Sequence, residues 1–140
     1  MAELNIIEKV IALEAVDLLK NLSAEQLSRI ASIAKETRLA PGKNVLSPDT
    51  NPDALFVILE GAVSISRDGA ELHVARESEV LGAWALFDPE PLAVTAKTLQ
   101  DTRLLRIGRD DFYDLLSDNS EITASIFAML VKRFRQLVER

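Results

Sequence analysis

The sequence predicts one α+β domain in which helices at both ends flank a β-sandwich or β-roll. Two observations carry this prediction. The hydrophobic period is helical up to about residue 35, and from Thr37 to about residue 108 it becomes short, alternating and interrupted by turns. A helical period then returns over the remaining residues. A chain of 140 residues is long enough for one well-packed core and too short for two ordinary domains.

The N-terminal region predicts amphipathic helices. Residues 3–19 intersperse charges with apolar residues at Leu4, Ile7, Ile11, Val16 and Leu19, as one or two short helices would. Ser23 is a predicted N-cap, and Gln26 stands where a capping box needs it. The helix that follows has one apolar face, formed by Leu27, Ile30, Ile33 and Ala34. We therefore expect helical structure to about Lys35.

The central region predicts short strands joined by turns. Residues 54–77 are typical of two or three strands, in which Gly61 suits a bulge or tight bend and Asp68-Gly69 suits a hairpin turn. Two further strands are predicted in LAVTAKTL, residues 92–99, and TRLLRIG, residues 102–108. Gln100-Asp101 provides the turn between them.

Two helices are predicted to close the chain. The first, Asp110–Ser117, has acids in its first turn and turns Phe112, Leu115 and Leu116 inward. The second begins near Ser120, and its apolar positions cover too wide an arc for one narrow seam. We expect part of it to dock on its own domain and part, near Met129–Val138, to pair with a partner chain. Two alternatives are that it lies wholly on its own domain or continues into a further segment.

Charge and composition exclude several function classes. A net charge of −6 argues against a surface that binds nucleic acid directly, and the basic C-terminal end is explained by the helix dipole. The chain has no cysteine, and His73 is its only histidine, so neither a typical zinc site nor a catalytic set with an activated nucleophile is expected. We predict a non-enzyme without metal or cofactor. The sequence contains neither a secretory signal nor a spanning helix, which predicts a cytoplasmic location, or one on the cytoplasmic face of a membrane-protein assembly.

Four stretches, in this order, resemble one family. They are LSAEQLSRIASIAKETRLAPGKNVL (22–46), DALFVILEGAVSI (53–65), TRLLRIGRDDFYDLL (102–116) and NSEITASIFAMLVKRFRQL (119–137). They are similar to the entry helix and first strand, the strand-glycine-strand core, the last strand with the B helix, and the C helix of cyclic nucleotide-binding domains. That family includes the bacterial catabolite activator protein, the regulatory subunits of cyclic-nucleotide-dependent kinases, and gated channels.

The resemblance implies a single domain over residues 1–140. Its fold class is α+β, with an antiparallel β-roll (a double-stranded β-helix or jelly roll) flanked by N-terminal helices and by C-terminal B and C helices. The N-terminal helices are expected over about residues 1–36, the roll over 37–108, and the B and C helices over 109–140.

The resemblance also places a phosphate-binding cassette at residues 82–95. In the family this cassette reads Gly-Glu-Leu-Ala, a loop, then Arg-Ala-Thr or Arg-Ala-Ser; its Glu takes the ribose 2′-hydroxyl and its Arg neutralises the cyclic phosphate. Gly82, Ala85 and Ala93 match. The Glu, the aliphatic residue, the Arg and the Thr or Ser are replaced by Ala83, Trp84, Leu92 and Val94. The candidate ligand-binding residues are therefore Gly82, Ala83, Trp84, Ala85, Leu92, Ala93 and Val94.

Loss of the cassette arginine is expected to weaken cyclic nucleotide binding by about two to three orders of magnitude. The predicted function is a regulatory or sensory module with weak or no ordinary cAMP or cGMP binding, although Arg76 or Lys97 could replace the missing cation. The alternative is a ligand-free degenerate domain that acts as a dimerisation or docking module, with its pocket filled by Trp84, Leu92 and neighbouring apolar side chains. The expected partners are a weakly bound cyclic nucleotide or other small anion, and a second copy through the C helix or another domain of a larger protein. No direct nucleic-acid contact and no membrane insertion are expected.

Overall fold

Two antiparallel four-stranded sheets form a β-roll in the computed structural model, which describes residues 4–49, 51–88 and 93–139, with Trp84 by its backbone only. One sheet has the strand order β1-β8-β3-β6 and the other β2-β7-β4-β5. The strands are β1 (Lys35–Leu39), β2 (Asn44–Leu46), β3 (Ala54–Glu60), β4 (Val63–Arg67), β5 (Ala70–Ala75), β6 (Val80–Leu81), β7 (Thr95–Thr98) and β8 (Thr102–Gly108). The helices that flank the roll are α1 (Ile6–Leu13), α2 (Ala24–Ala31), α3 (Arg109–Asp118) and α4 (Ser120–Val138). The predicted fold class is therefore confirmed.

Strands β3 and β8 are buried on both faces. Val57 and Leu105 point to one side, into a core shared with the four helices. Ile58 and Leu104 point to the other side, into a second core between the two sheets. Each of these four residues is at most 1% exposed. Since successive residues of a strand face opposite sides, these two strands join the two cores.

Helix α2 begins at the predicted N-cap but ends earlier than expected. Ser23 and Gln26 form a capping box at the start of α2. The expected helical boundary near residue 35 is wrong, because α2 ends at Ala31 and β1 begins at Lys35. Pairing with β8, in which Lys35 lies opposite Arg106, takes these residues into the sheet in spite of their helical pattern.

The apolar residues of the first segment divide between core and surface. Val16 and Leu19 are buried, as an amphipathic pattern predicts. Ile7 and Ile11, on the outer side of α1, are 67% and 62% exposed. A helical period therefore located the helix correctly but did not identify its buried face.

The predicted turns lie where expected. Asp68 and Gly69 join β4 to β5 with positive φ at both residues, which is the two-residue hairpin geometry. Gly61 has a φ of +113°, and a β carbon there would lie 2.5 Å from Thr102 Oγ1. Only glycine fits that bend without displacing β8.

A single residue separates the two C-terminal helices. Asn119 caps the end of α3 and precedes the first residue of α4. Its side-chain amide donates to the carbonyl oxygen of Leu115 at 2.8 Å, and its Oδ1 accepts a hydrogen bond from Arg29 Nη1. The junction is thus held from both α2 and α3.

Helix α4 is anchored on its own domain along one face. Ile122, Ile126 and Met129 are buried there, so Met129, expected in the partner-facing part, instead packs on its own domain. Further along, Arg133 makes a bidentate ion pair with Asp17, with Nε 2.6 Å from Oδ2. This hydrogen bonding holds the pKa of Asp17 below its ordinary value. The pair therefore stabilises the fold above the ordinary pKa of Asp17 and loses this effect as the pH falls through the lowered one.

Ser78→Gly is predicted to stabilise the protein. Ser78 has a φ of +73° in the turn before β6, where a residue with a β carbon is strained. Removing that strain should raise the free energy of unfolding by about 0.5–1 kcal/mol in urea denaturation. Ser28→Gly, in the interior of α2, is the matched control and should lower it by about 0.5 kcal/mol. If both changes altered the free energy of unfolding equally, the backbone of Ser78 would not be strained.

Candidate ligand-binding cassette

The cassette connects β6 to β7 at one end of the roll. Strand β6 ends at Leu81, Gly82 follows, and Ala83–Leu86 form a short 3-10 turn. The chain is described again from Ala93, which is exposed, and Val94, which is half-buried, before β7 begins at Thr95. Of the predicted site residues, Leu92 and the Trp84 side chain lie outside the described part of the chain.

Gly82 is required by a close backbone approach. Its φ is +72°, and a β carbon would lie 2.9 Å from the carbonyl oxygen of Ala54 in β3. Its own carbonyl oxygen accepts a 2.9 Å hydrogen bond from the amide of Ala85. The methyl group of Ala85 is fully buried, and that of Ala83 is half-buried against the helical core. In the described part of the cassette, the turn after Gly82 is therefore fixed by backbone contacts and by small, buried side chains.

Arg109 anchors the cassette to the start of α3. Its Nε donates to the carbonyl oxygen of Ala85 at 2.7 Å, and its Nη2 donates to the carbonyl oxygen of Pro52. Its backbone amide donates to the carbonyl oxygen of Asp53 at 2.7 Å. One half-buried side chain thus links the end of the cassette turn, the loop before β3 and helix α3.

The sequence contains a signal that could have identified Arg109. It is the first residue of α3, and a cation there is unfavourable to the helix dipole. A basic residue in that place indicates a tertiary role. An aromatic contact joins the same elements, since the rings of Phe87 and Phe112 meet edge to face with centroids 6.2 Å apart.

The basic residues proposed as substitutes for the missing arginine lie away from the inside of the roll. Lys97 is exposed on β7 and alternates with the buried Ala96 and Thr98, so it points outward. Arg76 is exposed in the connection between β5 and β6. Neither side chain is placed to meet a ligand from within the roll.

Arg106 is a cation that sequence reasoning missed. In the register of the sheet it lies opposite Phe56, which in turn lies opposite Leu81 next to the cassette. Paired residues share a face, so Arg106 is on the inner side of the sheet, two strands from Leu81. Its Nη2 lies 3.3 Å from Asp53 Oδ1, and its side chain is 35% exposed. The period-two alternation of TRLLRIG could have indicated this placement.

A small cavity lies near the start of the cassette among the described residues. It measures about 80 Å³ and is lined by Val45, Leu46, Ser47, Asn51, Pro52, Asp53 and Phe56; a β carbon at Gly82 would lie 3.7 Å from Leu46 Cδ2. Small-molecule sites usually measure about 300–1,000 Å³. Deeper in the roll the two sheets are in apolar contact through Ile58, Val63, Ala75, Leu81, Ala96 and Leu104.

His73 is engaged by a carboxylate at the edge of the roll. Its Nε2 lies 2.7 Å from Glu79 Oε2, and both side chains are about half exposed. Within the described residues, no cluster of three or more histidines, cysteines or acids could hold a metal ion. In the same part of the chain, no helix combines the length and the apolar character needed to cross a membrane.

A comparison with models of protein families identifies the family to which this chain belongs. The model of the cyclic nucleotide-binding domain matches residues 36–119. This chain belongs to that family. The match covers the roll, the cassette and α3, which are the elements that Arg109 joins.

The relatives of this cyclic nucleotide-binding domain include regulators and kinases. It is 29% identical over 117 residues to the CRP-like cAMP-activated global transcriptional regulator of Mycobacterium tuberculosis, covering 78% of this chain and 52% of that protein. It is 31% identical over 101 residues to a cGMP-dependent protein kinase of Caenorhabditis briggsae, covering 72% and 14%. The chain thus spans about half the length of the mycobacterial regulator and a small part of the kinase.

Solved structures have the same fold. The N-terminal domain of a transcriptional regulator from Streptomyces coelicolor A3(2) superposes with a TM-score of 0.81 at 29% identity, covering 91% of this chain and 92% of that one. The sensor domain of the transcriptional regulator DNR from Pseudomonas aeruginosa gives a TM-score of 0.72 at 23% identity, covering 96% and 94%. The second likeness supports the fold only.

Arg109→Met is predicted to loosen the cassette of this cyclic nucleotide-binding domain. The change removes the donors to the Ala85 and Pro52 carbonyl oxygens and should cost about 1–3 kcal/mol in urea unfolding. Amide hydrogen exchange at residues 83–86 should accelerate. Arg106→Met, which breaks one partly exposed ion pair, is the control and should cost no more than about 1 kcal/mol. Unchanged exchange at 83–86 in the Arg109 variant would refute the anchoring role.

Proposed function

We propose that this domain is a non-catalytic regulatory module. It binds cAMP and cGMP only weakly, or does not bind them. One observation carries the proposal: the cassette keeps its backbone frame at Gly82 and Ala85, while Ala83 and Leu92 stand in place of the family's Glu and Arg. The frame positions a ligand, whereas the polar pair supplies the charge-assisted hydrogen bonds that hold it.

The basic residues support weak binding. Lys97 points away from the inside of the roll and Arg109 is committed to backbone carbonyl oxygens. Arg106 is on the inner side but is paired with Asp53, whose carboxylate repels a phosphate. The cavity of about 80 Å³ is smaller than a usual small-molecule site and is lined by the Asp53 carboxylate, so it suits neither a nucleotide nor a small anion.

The relatives suggest the setting in which the module works. The printed names of the mycobacterial and Streptomyces proteins are those of transcriptional regulators. By analogy we place this domain in the cytoplasm, or on the cytoplasmic face of a membrane-protein assembly, where it passes a signal to another domain or copy. Its net charge of −6 favours a protein partner over direct contact with nucleic acid.

Titration with cAMP and cGMP tests the proposed weak binding. Trp84 is the only tryptophan and lies in the cassette, so its fluorescence reports on ligand there. We expect no saturable change in the natural protein below millimolar ligand. Ala83→Glu combined with Leu92→Arg should raise the cAMP affinity about 100-fold or more, because it restores the missing pair.

Micromolar binding by the natural protein would contradict the proposal. If the double variant folds but gains no affinity, the roll is closed to the nucleotide, which favours the second candidate. Leu92→Ala with Ala83→Ser is the control for changes in cassette packing.

The second candidate function is dimerisation or docking within a larger protein or assembly. A specific observation favours it: α4 leaves Phe127, Val131, Phe134 and Val138 between 56% and 67% exposed. These residues recur every three or four positions and so lie on one side of the helix. An exposed apolar stripe of this kind is typical of an interaction surface.

Phe127→Ser with Phe134→Ser is predicted to abolish self-association without unfolding the domain. The natural protein should sediment as a dimer at micromolar concentrations, and the double variant as a monomer, because two large apolar contacts per copy are lost. Leu72→Ser with Leu99→Ser removes apolar residues of similar exposure, 56% and 51%, elsewhere on the surface. That control should remain dimeric. Equal loss of the dimer in both variants, or a monomeric natural protein, would overturn dimerisation through α4.

A further inference from the structure

A groove lies between α1 and the sheet that contains β3 and β6. Leu4 and Ile11 line it from the α1 side, Leu59 lines it from β3, and Glu77 and Ser78 line it from the turn before β6. This α1 groove measures about 300 Å³, against about 80 Å³ for the cavity near the cassette. It belongs neither to the cassette nor to α4, so neither candidate function uses it.

Helix α1 is apolar on two sides. Leu13 is fully buried in the core shared with the other helices, and Val10 packs against that core. Ile7 and Ile11 are one turn apart on the outer side, where they are 67% and 62% exposed. A surface helix usually has one apolar stripe and a polar face opposite to it. The outer isoleucines therefore form an uncovered apolar surface that begins in the α1 groove at Ile11 and continues beyond the groove to Ile7.

The carboxylates that line the α1 groove give it an excess of negative charge. Glu8 and Glu77 both line it, and neither forms an ion pair within the described residues. Arg103 also lines it, but its guanidinium is balanced by Glu36 at 2.7 Å and by Glu60 at 3.4 Å. The α1 groove therefore attracts a cation.

The neighbouring basic residues do not reverse this charge. Lys9, the basic residue of α1, lies on another side of the helix, where its Nζ donates to the carbonyl oxygen of Ala34 at 2.7 Å. Arg76 precedes Glu77 in the chain but does not line the α1 groove. The acids of the groove repel nucleic acid and anionic membrane surfaces, and a second copy of this chain, with a net charge of −6, is a poor electrostatic match.

We propose that the α1 groove binds a basic amphipathic helix of a partner protein. In this mode of recognition, apolar side chains at every third or fourth position of the partner helix enter a groove. Here they cover Ile7 and Ile11, while lysine or arginine residues beside them pair with Glu8 and Glu77. A small cation that filled only the α1 groove would leave Ile7 exposed, so a polypeptide accounts for more of the surface. The proposal depends neither on ligand binding in the cassette nor on dimerisation.

A short segment joins the α1 groove to the cassette. Ser78 lines the groove, and its amide donates to the carbonyl oxygen of Ile58 at 2.8 Å. The amide of Ile58 in turn donates to the carbonyl oxygen of Glu79 at 2.9 Å. Strand β6 and Gly82 follow directly in the chain. An occupant of the groove therefore contacts the segment that leads into the cassette, and its binding should slow amide exchange at residues 78–81.

A synthetic peptide tests this proposal with the full chain. The probe has about 14 residues, or four helical turns, with leucine at every third or fourth position, lysine beside each leucine and alanine elsewhere. Its fluorescence anisotropy should give a dissociation constant on the order of 10–100 μM at low salt. The same peptide with glutamate in place of lysine should bind at least about tenfold more weakly, because it meets Glu8 and Glu77 with like charge.

The apolar part of the surface is tested by Ile7→Ser combined with Ile11→Ser. This variant should bind the lysine peptide at least about tenfold more weakly, since the exposed side chains that the peptide covers are lost. Leu72→Ser combined with Leu99→Ser is the control, because these leucines are 56% and 51% exposed elsewhere on the surface. The control should bind the peptide as the natural protein does.

The acids are tested by Glu8→Gln combined with Glu77→Gln. Glutamine at position 8 keeps the capping box at the start of α1, so urea unfolding should be unchanged. The variant should bind the lysine peptide about fivefold more weakly at low salt and the glutamate peptide no more weakly than before. Asp114→Asn combined with Asp118→Asn removes two exposed acids of α3 and controls for the change in net charge.

Three outcomes would overturn the proposal. One is failure of the lysine peptide to bind at about 1 mM, and another is equal binding of the lysine and glutamate peptides. The third is displacement of the peptide by submillimolar hexylamine, which would make the α1 groove a site for small cations and not for a protein. The cAMP titration and the sedimentation of the α4 variants report on other surfaces, so these outcomes are separate from the failure of either candidate function.

Discussion

The double-sided burial of β3 and β8 is the constraint on which the rest of the structure depends. Val57 and Leu105 are held by the helices, and Ile58 and Leu104, next to them in the chain, are held by the opposite sheet. Neither core can shift without moving the backbone shared with the other. The cassette is attached to this backbone by the approach of Gly82 to β3, and α3 is attached because it begins where β8 ends. The two sheets, the described turn of the cassette and the start of α3 are therefore mechanically linked.

The cassette conformation does not require a ligand-binding side chain. Its described contacts are the approach of Gly82 to the Ala54 carbonyl oxygen, the buried methyl group of Ala85, and the hydrogen bonds from Arg109 to carbonyl oxygens. All of these use backbone atoms, apolar packing or a residue outside the cassette. The described turn at Ala83–Leu86 therefore forms without an acidic side chain at position 83. In such a site, the residues that fix the backbone differ from the residues that would contact a ligand.

Features set by neighbouring residues could be predicted from the sequence, and features set by distant contacts could not. The capping box at Ser23 and the hairpin turn at Asp68-Gly69 depend on residues a few positions apart. The end of α2 at Ala31 depends on pairing with β8, some seventy residues away. The wide apolar arc of α4 predicted that one part docks on its own domain and another part contacts a partner chain. Only the packing in the structure shows that Met129 belongs to the buried part. In the candidate site, the position of Arg109 at the start of α3 indicated a tertiary role, but its acceptors, the carbonyl oxygens of Ala85 and Pro52, could be identified only from the fold.

The junction at Asn119 gives α4 the properties of a lever. One residue connects it to α3, so a change of direction must be absorbed largely by the backbone torsions of that residue. Val138 lies about 28 Å from this pivot along the helix axis. A rotation of about 10° at Asn119 would displace Val138 by about 5 Å, nearly one helical turn. Arg133 lies about three-quarters of the way along α4, and its ion pair with Asp17 would resist that rotation. A displacement too small to alter the sheets would thus be enough to bring the far end of α4 into or out of register with whatever it contacts.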